Sequence, residues 1–142
     1  MVDLSVIIVS YNTREILLGC LQSVFDTLDE TIAANRYSAD ARALSRGYEV
    51  IVVDNASGDG SGPAVAERFP QVRLIENEFN SGFSAANNQG VAIAQGRYVL
   101  LLNPDTIVYP GAIAEMVRFM DRFPRAGMVT SKLLNPDGTL QH

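Results

Sequence analysis

Three short apolar runs, Leu4–Val9, Tyr48–Val53 and Tyr98–Leu102, constrain this chain more than any other feature. Each is too short for a helix of ordinary length, and each is rich in β-branched or aliphatic residues. Their apolar side chains fill successive positions rather than alternate ones, so both faces of each strand must be covered. That requirement points to a parallel sheet packed between helices. Val72–Ile75 is expected to add a fourth strand and Gly127–Thr130 a fifth.

Helical patterns fill the gaps. Thr13 stands where an N-cap belongs, ahead of Ile16, Leu17, Cys20, Leu21 and Val24 on one face. Pro63 suits the first turn of a second helix, running to about Phe69. A third is expected from Phe83 to Ala94, ended by Gly96. A fourth begins near Pro110 and places Ile113, Met116, Val117 and Met120 on one stripe. This alternation, with right-handed crossovers, predicts an α/β domain: an open, mainly parallel sheet with helices on both faces. The 142 residues suit a single domain with its own core. Asp26–Gly47 is polar and longer than the ~2–6 residues usual between a helix and a strand. It reads as an insertion, an extension of the first helix plus a second short helix. A helix-to-strand connection belongs at the amino edge of the sheet.

Several function classes fall away. The formal net charge of −5 argues against a general nucleic-acid binder, whose phosphate contacts need a basic face. A phosphate ligand stays admissible, because helix N-termini and a bound metal supply local positive charge. No Gly-x-Gly-x-x-Gly follows the first strand and no Walker-type Gly-Lys-Ser/Thr occurs. The single histidine, His142, leaves no basis for a His-based triad or zinc site. The single cysteine, Cys20, can form no internal disulfide and sits at core spacing, as suits a reducing compartment. No apolar run approaches the ~20 residues of a membrane span, and the start lacks a signal peptide's basic region. A cytoplasmic location is expected, with peripheral membrane attachment of a longer protein left open.

Ligands of open parallel sheets bind beyond the carboxyl ends of the strands, near a topological switch point. Here the three runs are followed by Ser10-Tyr11-Asn12, by Asp54-Asn55-Ala56-Ser57 and by Asn103-Pro104-Asp105-Thr106. Turn chemistry explains any one of these loops, but less readily all three. An ionised Asp54 accepts hydrogen bonds only, so it can take the imide N–H of uracil or thymine, which cytosine lacks. The competing reading is a turn cap toward Ser57 or Gly58. Asp105 is the natural anionic ligand for a hard divalent ion on a diphosphate, with Asn103 adding a carbonyl or a sugar contact. Asn80-Ser81-Gly82 opens a helix carrying Asn87 and Asn88, poor helix formers whose amides are candidates for sugar or loop contacts. Surface hydrogen bonding is an equal reading for Asn88.

Taken in order, Val9-Ser10-Tyr11-Asn12, Val52-Val53-Asp54-Asn55-Ala56-Ser57, Asn80-x-Gly82-Phe83-x-x-Ala86-x-Asn88-x-Gly90 and Leu102-Asn103-Pro104-Asp105 resemble the inverting family 2 glycosyltransferases of the GT-A fold. The resemblance is greatest to the rhamnosyltransferase-like branch acting on bacterial surface polysaccharides. It implies a nucleotide pocket drawn from Ser10, Tyr11, Asn12, Asp54, Asn55, Asn80, Gly82, Asn87 and Asn103. It also implies Mg2+ or Mn2+ at Asp105, where Asn103 replaces the first carboxylate of the family's Asp-x-Asp motif. The implied reaction moves a sugar from a UDP- or dTDP-linked donor to a glycan or lipid-linked acceptor with inversion. The family's catalytic base lies after the metal motif. No convincing base follows Asp105, since Asp121 falls on the solvent side of its helix and Asp137 in a turn. The base is expected beyond His142, which makes residues 1–142 the donor-binding part of a longer chain. A non-catalytic nucleotide-sugar-binding module is the alternative, and a nucleotidyltransferase a weaker third.

Overall fold

The computed structural model describes residues 1–35 and 43–141. Arg36, Asp40 and Arg42 of the polar insertion, and His142, lie outside the described residues. Elements follow in the order β1 (Val2–Ser10), α1 (Arg14–Asn35), β2 (Tyr48–Asp54), α2 (Ser61–Arg68), β3 (Arg73–Glu76), α3 (Phe83–Ile93), β4 (Gly96–Leu102) and α4 (Ala112–Arg122). All strand pairs are parallel, in the order β3-β2-β1-β4. The α/β class and the parallel sheet are as expected.

Alternate residues of the central strands serve two layers. Leu4, Val6 and Ile8 of β1 and Val50 and Val52 of β2 face a large core with Leu17, Leu21, Val24 and Leu28 of α1, Val65 of α2, and Ile113 and Val117 of α4. Ile7, Val9, Ile51 and Val53 face the other way, against Ala86 of α3. Gly90 lets α3 approach closely, because a Cβ there would stand 2.6 Å from Ile7 Cγ2. Burying each of these aliphatic side chains contributes about 1.5–3 kcal/mol before the entropy of ordering is subtracted.

The first helix runs through the start of the polar insertion to Asn35, the extension expected there, because Leu28, Thr31 and Ile32 continue the stripe of Val24. Four expectations need correction. Ile16 is exposed and Leu18 buried, so the core face of α1 is rotated from the predicted stripe. The run Tyr98–Leu102 forms β4 at the sheet edge and is covered on one face only, with Val99 and Leu101 43% and 54% exposed. Gly96 does not end α3. The helix stops at Ile93, and Gly96 opens β4, where a Cβ would lie 2.4 Å from the Ser5 amide nitrogen. Gly127–Thr130 forms no strand: the run is four residues, begins on glycine and pairs with no ladder, and Met128 is 87% exposed.

The described ends of the insertion lie at the amino edge. Asp3 donates its amide to Gly47 O at 3.0 Å, and its carboxylate accepts the Arg46 amide at 2.8 Å. A second polar tie on this edge is Glu49, which accepts the Ser5 hydroxyl at 2.6 Å, the Gln95 amide at 2.6 Å and Arg73 at 2.7 Å. Burial alone would raise its pKa, but these donors outweigh it and hold the carboxyl below its ordinary value. No described helix is long and apolar enough to cross a membrane.

Candidate functional site

The chain order places the switch point at β1. From β1 the chain steps outward through β2 to β3, then returns over the other face through α3 to β4 on β1's far side. The loops after β1 and β4 therefore diverge around a crevice, which is where such sheets bind ligands. The strand register brings the loops level. Ser10 pairs with Asp54, Asp54 with Glu76, and Ile8 with Leu102, one residue before Asn103.

The loops after β1 and β2 are stitched together. Asn12 donates its amide to Ser57 Oγ at 2.9 Å, and its side-chain Oδ1 accepts the Gly58 amide at 2.8 Å. Asp59 accepts the Arg14 amide on Oδ2 at 2.9 Å and the Ser61 amide on Oδ1 at 3.0 Å. One carboxylate thus caps the first turns of α1 and α2 together, where the helix dipole favours negative charge. The Ser61 hydroxyl is the main cause holding the Asp59 carboxyl below its ordinary pKa, with the two backbone amides adding to it. Sequence reasoning missed Asp59, although its two-residue spacing to Ser61 is a local turn signature. Thr13 precedes α1 as expected, but its hydroxyl pairs with Ser10 Oγ at 2.8 Å. Asn12 and Ala56 both sit at positive φ, 52° and 68°, a conformation that Asn adopts readily and that is disfavoured for Ala.

Asp54 is buried at the tip of β2, 5% exposed. Its Oδ2 accepts the Ser57 amide at 3.2 Å and its Oδ1 the Ser57 hydroxyl. The turn cap weighed from sequence is therefore present. It occupies two of the roughly four lone-pair positions of a carboxylate. Asn55, 2% exposed, turns to the opposite face and meets the loop after β3. Its Nδ2 donates to Asn80 Oδ1 at 2.7 Å and its Oδ1 accepts the Ser81 amide at 3.0 Å. Gly82, at φ +83°, precedes α3 with no side-chain cap on that helix. Asn87 is buried, and its amide donates to Phe83 O at 2.9 Å within its own helix. Asn88 and Tyr11 are exposed, Tyr11 at 50%.

The loop after β4 is different in kind. Asn103 and Asp105 are exposed, and among the described residues the Asp105 carboxylate has no hydrogen bond or ion pair. The loop is held from below. Thr106 Oγ1 donates to Asn103 O at 2.8 Å, and the buried Cys20 thiol of α1 lies 3.7 Å from both Asn103 O and Thr106 Oγ1. Burial pushes the Cys20 thiol pKa up, as suits the core residue its spacing predicted. No cluster of three His, Cys, Asp or Glu side chains exists among the described residues, so any metal held here needs oxygens from its ligand. Asp105 with Asn103 fits a hard ion that already carries diphosphate and water. A hollow of about 700 Å3 runs beside β4, between α4 and Gly127–Leu133, and touches this loop only at Asn103 and Thr106. The three later carboxylates are all paired: Glu115 with Arg118, Asp121 with Arg97 at 2.7 Å and Tyr98 at 2.9 Å, and Asp137 with Thr139 Oγ1 at 2.7 Å.

Known proteins share the sequence pattern and the fold. The family model "Glycosyl transferase family 2" matches residues 5–141. An N-acetylglucosaminyl-diphospho-decaprenol L-rhamnosyltransferase of Mycobacterium tuberculosis is 31% identical over 109 residues, 69% of this chain and 36% of that protein. The glycosyltransferase YibD of Escherichia coli is 33% identical over 110 residues, 75% of this chain and 27% of that protein. The chain thus spans about a third of the length of such relatives. Among solved structures, the mannosyltransferase PcManGT of Pyrobaculum calidifontis, in complex with GDP-Man and Mn2+, superposes with TM-score 0.70 at 24% identity, over 96% of this chain and 36% of that one. Staphylococcus aureus TarS 1–349 in complex with UDP-GlcNAc gives 0.68 at 19%, over 94% of this chain and 38% of that one. These superpositions bear out the GT-A expectation for the fold. The motifs after β1, β2 and β4 and the match over residues 5–141 lead to one conclusion: the chain belongs to glycosyl transferase family 2.

Proposed function

We propose that this chain is the donor-holding part of an inverting glycosyltransferase that takes its sugar from a UDP- or dTDP-linked donor, rhamnose among the candidates. The acceptor is a glycan or a lipid-linked glycan, met at the cytoplasmic face of the cell membrane. The observation that carries this reading is the Asp105 carboxylate, exposed and without a protein partner among the described residues, on the loop that borders the switch-point crevice.

The residues divide the work. Tyr11 offers an exposed ring to the base, and the remaining lone pairs of Asp54 accept the pyrimidine N3–H. Ser10, Asn12, Asn80, Gly82 and Asn87 shape the wall around the nucleoside and sugar. Asp105 and Asn103 hold Mg2+ or Mn2+, which when bound offsets charge on the departing diphosphate. The acceptor hydroxyl attacks the anomeric carbon, the bond to the diphosphate breaks, and a carboxylate base takes the hydroxyl proton. Glu115, Asp121 and Asp137, the carboxylates after Asp105, are each paired with a neighbour, so on this reading the base lies outside residues 1–142. The chain alone therefore binds donor and transfers no sugar.

Isothermal titration with UDP, dTDP, CDP and GDP, each with and without Mn2+, tests the reading. Metal-dependent binding of UDP and dTDP, well above that of CDP, is expected, because a site built around a hydrogen bond rejects analogues that leave it unpaired. Equal affinity for UDP and CDP removes Asp54 as the base reader.

A further inference from the structure

We propose that Asn55 is a positioning residue: its amide pins the Asn80–Gly82 turn and the start of α3 to the end of β2, and so fixes one wall of the donor pocket. The proposal rests on the donor-binding reading above.

The hydrogen-bonding capacity of Asn55 is fully committed inside the protein. A carboxamide has two N–H donors and two acceptor lone pairs. Nδ2 donates to Asn80 Oδ1 at 2.7 Å and approaches Gly82 O at 3.4 Å. Oδ1 is met by the Ser81 amide at 3.0 Å, the Ser81 hydroxyl at 3.1 Å and Asn77 Nδ2 at 3.0 Å. Nothing is left for a ligand, and the residue is only 2% exposed. Its effect on a donor must pass through what it holds.

What it holds has few other anchors. Phe79 and Phe83, on either side of the turn, are 71% and 58% exposed, so apolar packing does not fix it. Gly82 has positive φ and α3 lacks a side-chain cap, so the entry to that helix is not set locally. The polar ties do it instead. Asn80 Oδ1, held by Asn55, in turn accepts the Gly82 amide at 2.9 Å. Asn77 extends the clamp into α3 by a reciprocal pair with Gln89, at 2.9 and 3.1 Å. Asn55 joins both arms to the sheet, through its backbone amide on Ser10 O at 2.8 Å. Asn55 itself is buried and fully paired, so it holds the more exposed groups it joins in a single geometry.

The test combines UDP titration in the presence of Mn2+ with amide hydrogen exchange at Ser81 and Gly82, in Asn55→Ala, Asn80→Ala and the double variant. Asn55→Ala should weaken UDP binding about tenfold, the scale of one lost buried hydrogen-bond partner. Exchange at Ser81 and Gly82 should accelerate in the same variant. Because both residues act through one turn, the double variant should lose little more than the worse single. Asn80→Ala breaks the same tie from the exposed side and serves if Asn55→Ala does not fold. Asn55→Asp sets a buried carboxylate oxygen against Asn80 Oδ1 and Gly82 O, and should be at least as damaging as Asn55→Ala in both readouts. Freed amides with unchanged affinity would reduce Asn55 to a stabilising residue. Additive losses with Ser81 still protected would make it a direct contact. A wild-type chain that binds none of the nucleotides overturns the donor reading itself, and shows this before any variant is compared.

Discussion

The two sides of the sheet's carboxyl edge are built in opposite ways. On the β2 side, Asp54, Asp59, Asn12 and Asn55 are each engaged by at least one neighbour, and Asp54 and Asn55 are nearly buried. On the β4 side, Asn103 and Asp105 stand in solvent, and Val99 and Leu101 on the strand behind them are 43% and 54% exposed. The first side is preorganised, with the Asn12 turn cross-linked to Ser57 and Gly58. The second presents a charge that none of the described residues neutralises. A pocket that must read a base needs the first kind of wall. A metal arriving with a diphosphate needs the second.

The largest expected effect falls on the open side. Asp105→Ala should lower Mn2+-dependent UDP affinity by at least about 100-fold, since even outer-shell partners of a metal are worth ~10–100-fold. Its melting temperature should stay as in the wild type, because the carboxylate touches no described neighbour. Asn103→Ala should weaken binding less, as a neutral ligand at a hard cation. If Asp105→Ala binds UDP with unchanged metal dependence, the two sides do not divide the work as described.

Stability should show the reverse contrast. Ile7→Ala, at a fully buried position of β1, should cost about 2–5 kcal/mol in urea unfolding. Leu101→Ala, on the uncovered face of β4, should stay within about 0.5 kcal/mol. A large loss at Leu101 would mean that this face is already packed.

A smaller effect is expected at the cap shared by α1 and α2. Asp59→Ala should cost about 1 kcal/mol, the usual loss when a capping side chain is truncated. Its folded pKa lies below the ordinary carboxylate value. The stability it adds is therefore complete above its unfolded pKa, about 3.9, and is lost as pH falls through the lower folded value. Acid titration of stability should be shallower in Asp59→Ala, and an identical acid limb would remove Asp59 from the account. The smallest change is at Ala56. Replacing it by glycine relieves a positive φ of 68° but loosens the unfolded chain, so a net gain below about 1 kcal/mol is expected by thermal melting.

Much of this was legible in the sequence, for physical reasons. Runs apolar on both faces point to covered strands, and β1 and β2 are such strands, whereas the third run forms β4 at the sheet edge with Val99 and Leu101 exposed. The polar tail of α1 was legible as a helix extension, and Leu28 and Ile32 continue the stripe of Val24 there. Gly127–Thr130 had strand composition, but composition does not supply a partner edge. The ligand loops could be found from the polar residues at the carboxyl end of each strand. Their cross-links could not: Asn12 meets Ser57 and Gly58 across about 45 residues of sequence, through a register that only the folded sheet defines. Asn77 and Gln89 were missed for the same reason.

The most direct test of the central claim is to map the donor on the folded chain by nuclear magnetic resonance. Amide shifts on adding UDP with Mg2+ should cluster at Tyr11–Asn12, Asp54–Ser57, Asn80–Gly82 and Asn103–Asp105, and paramagnetic broadening on exchanging Mg2+ for Mn2+ should centre on Asp105. The amino edge, at Asp3, Arg46 and Tyr48, should stay silent. Shifts concentrated at that edge, or broadening centred away from Asp105, would contradict the account.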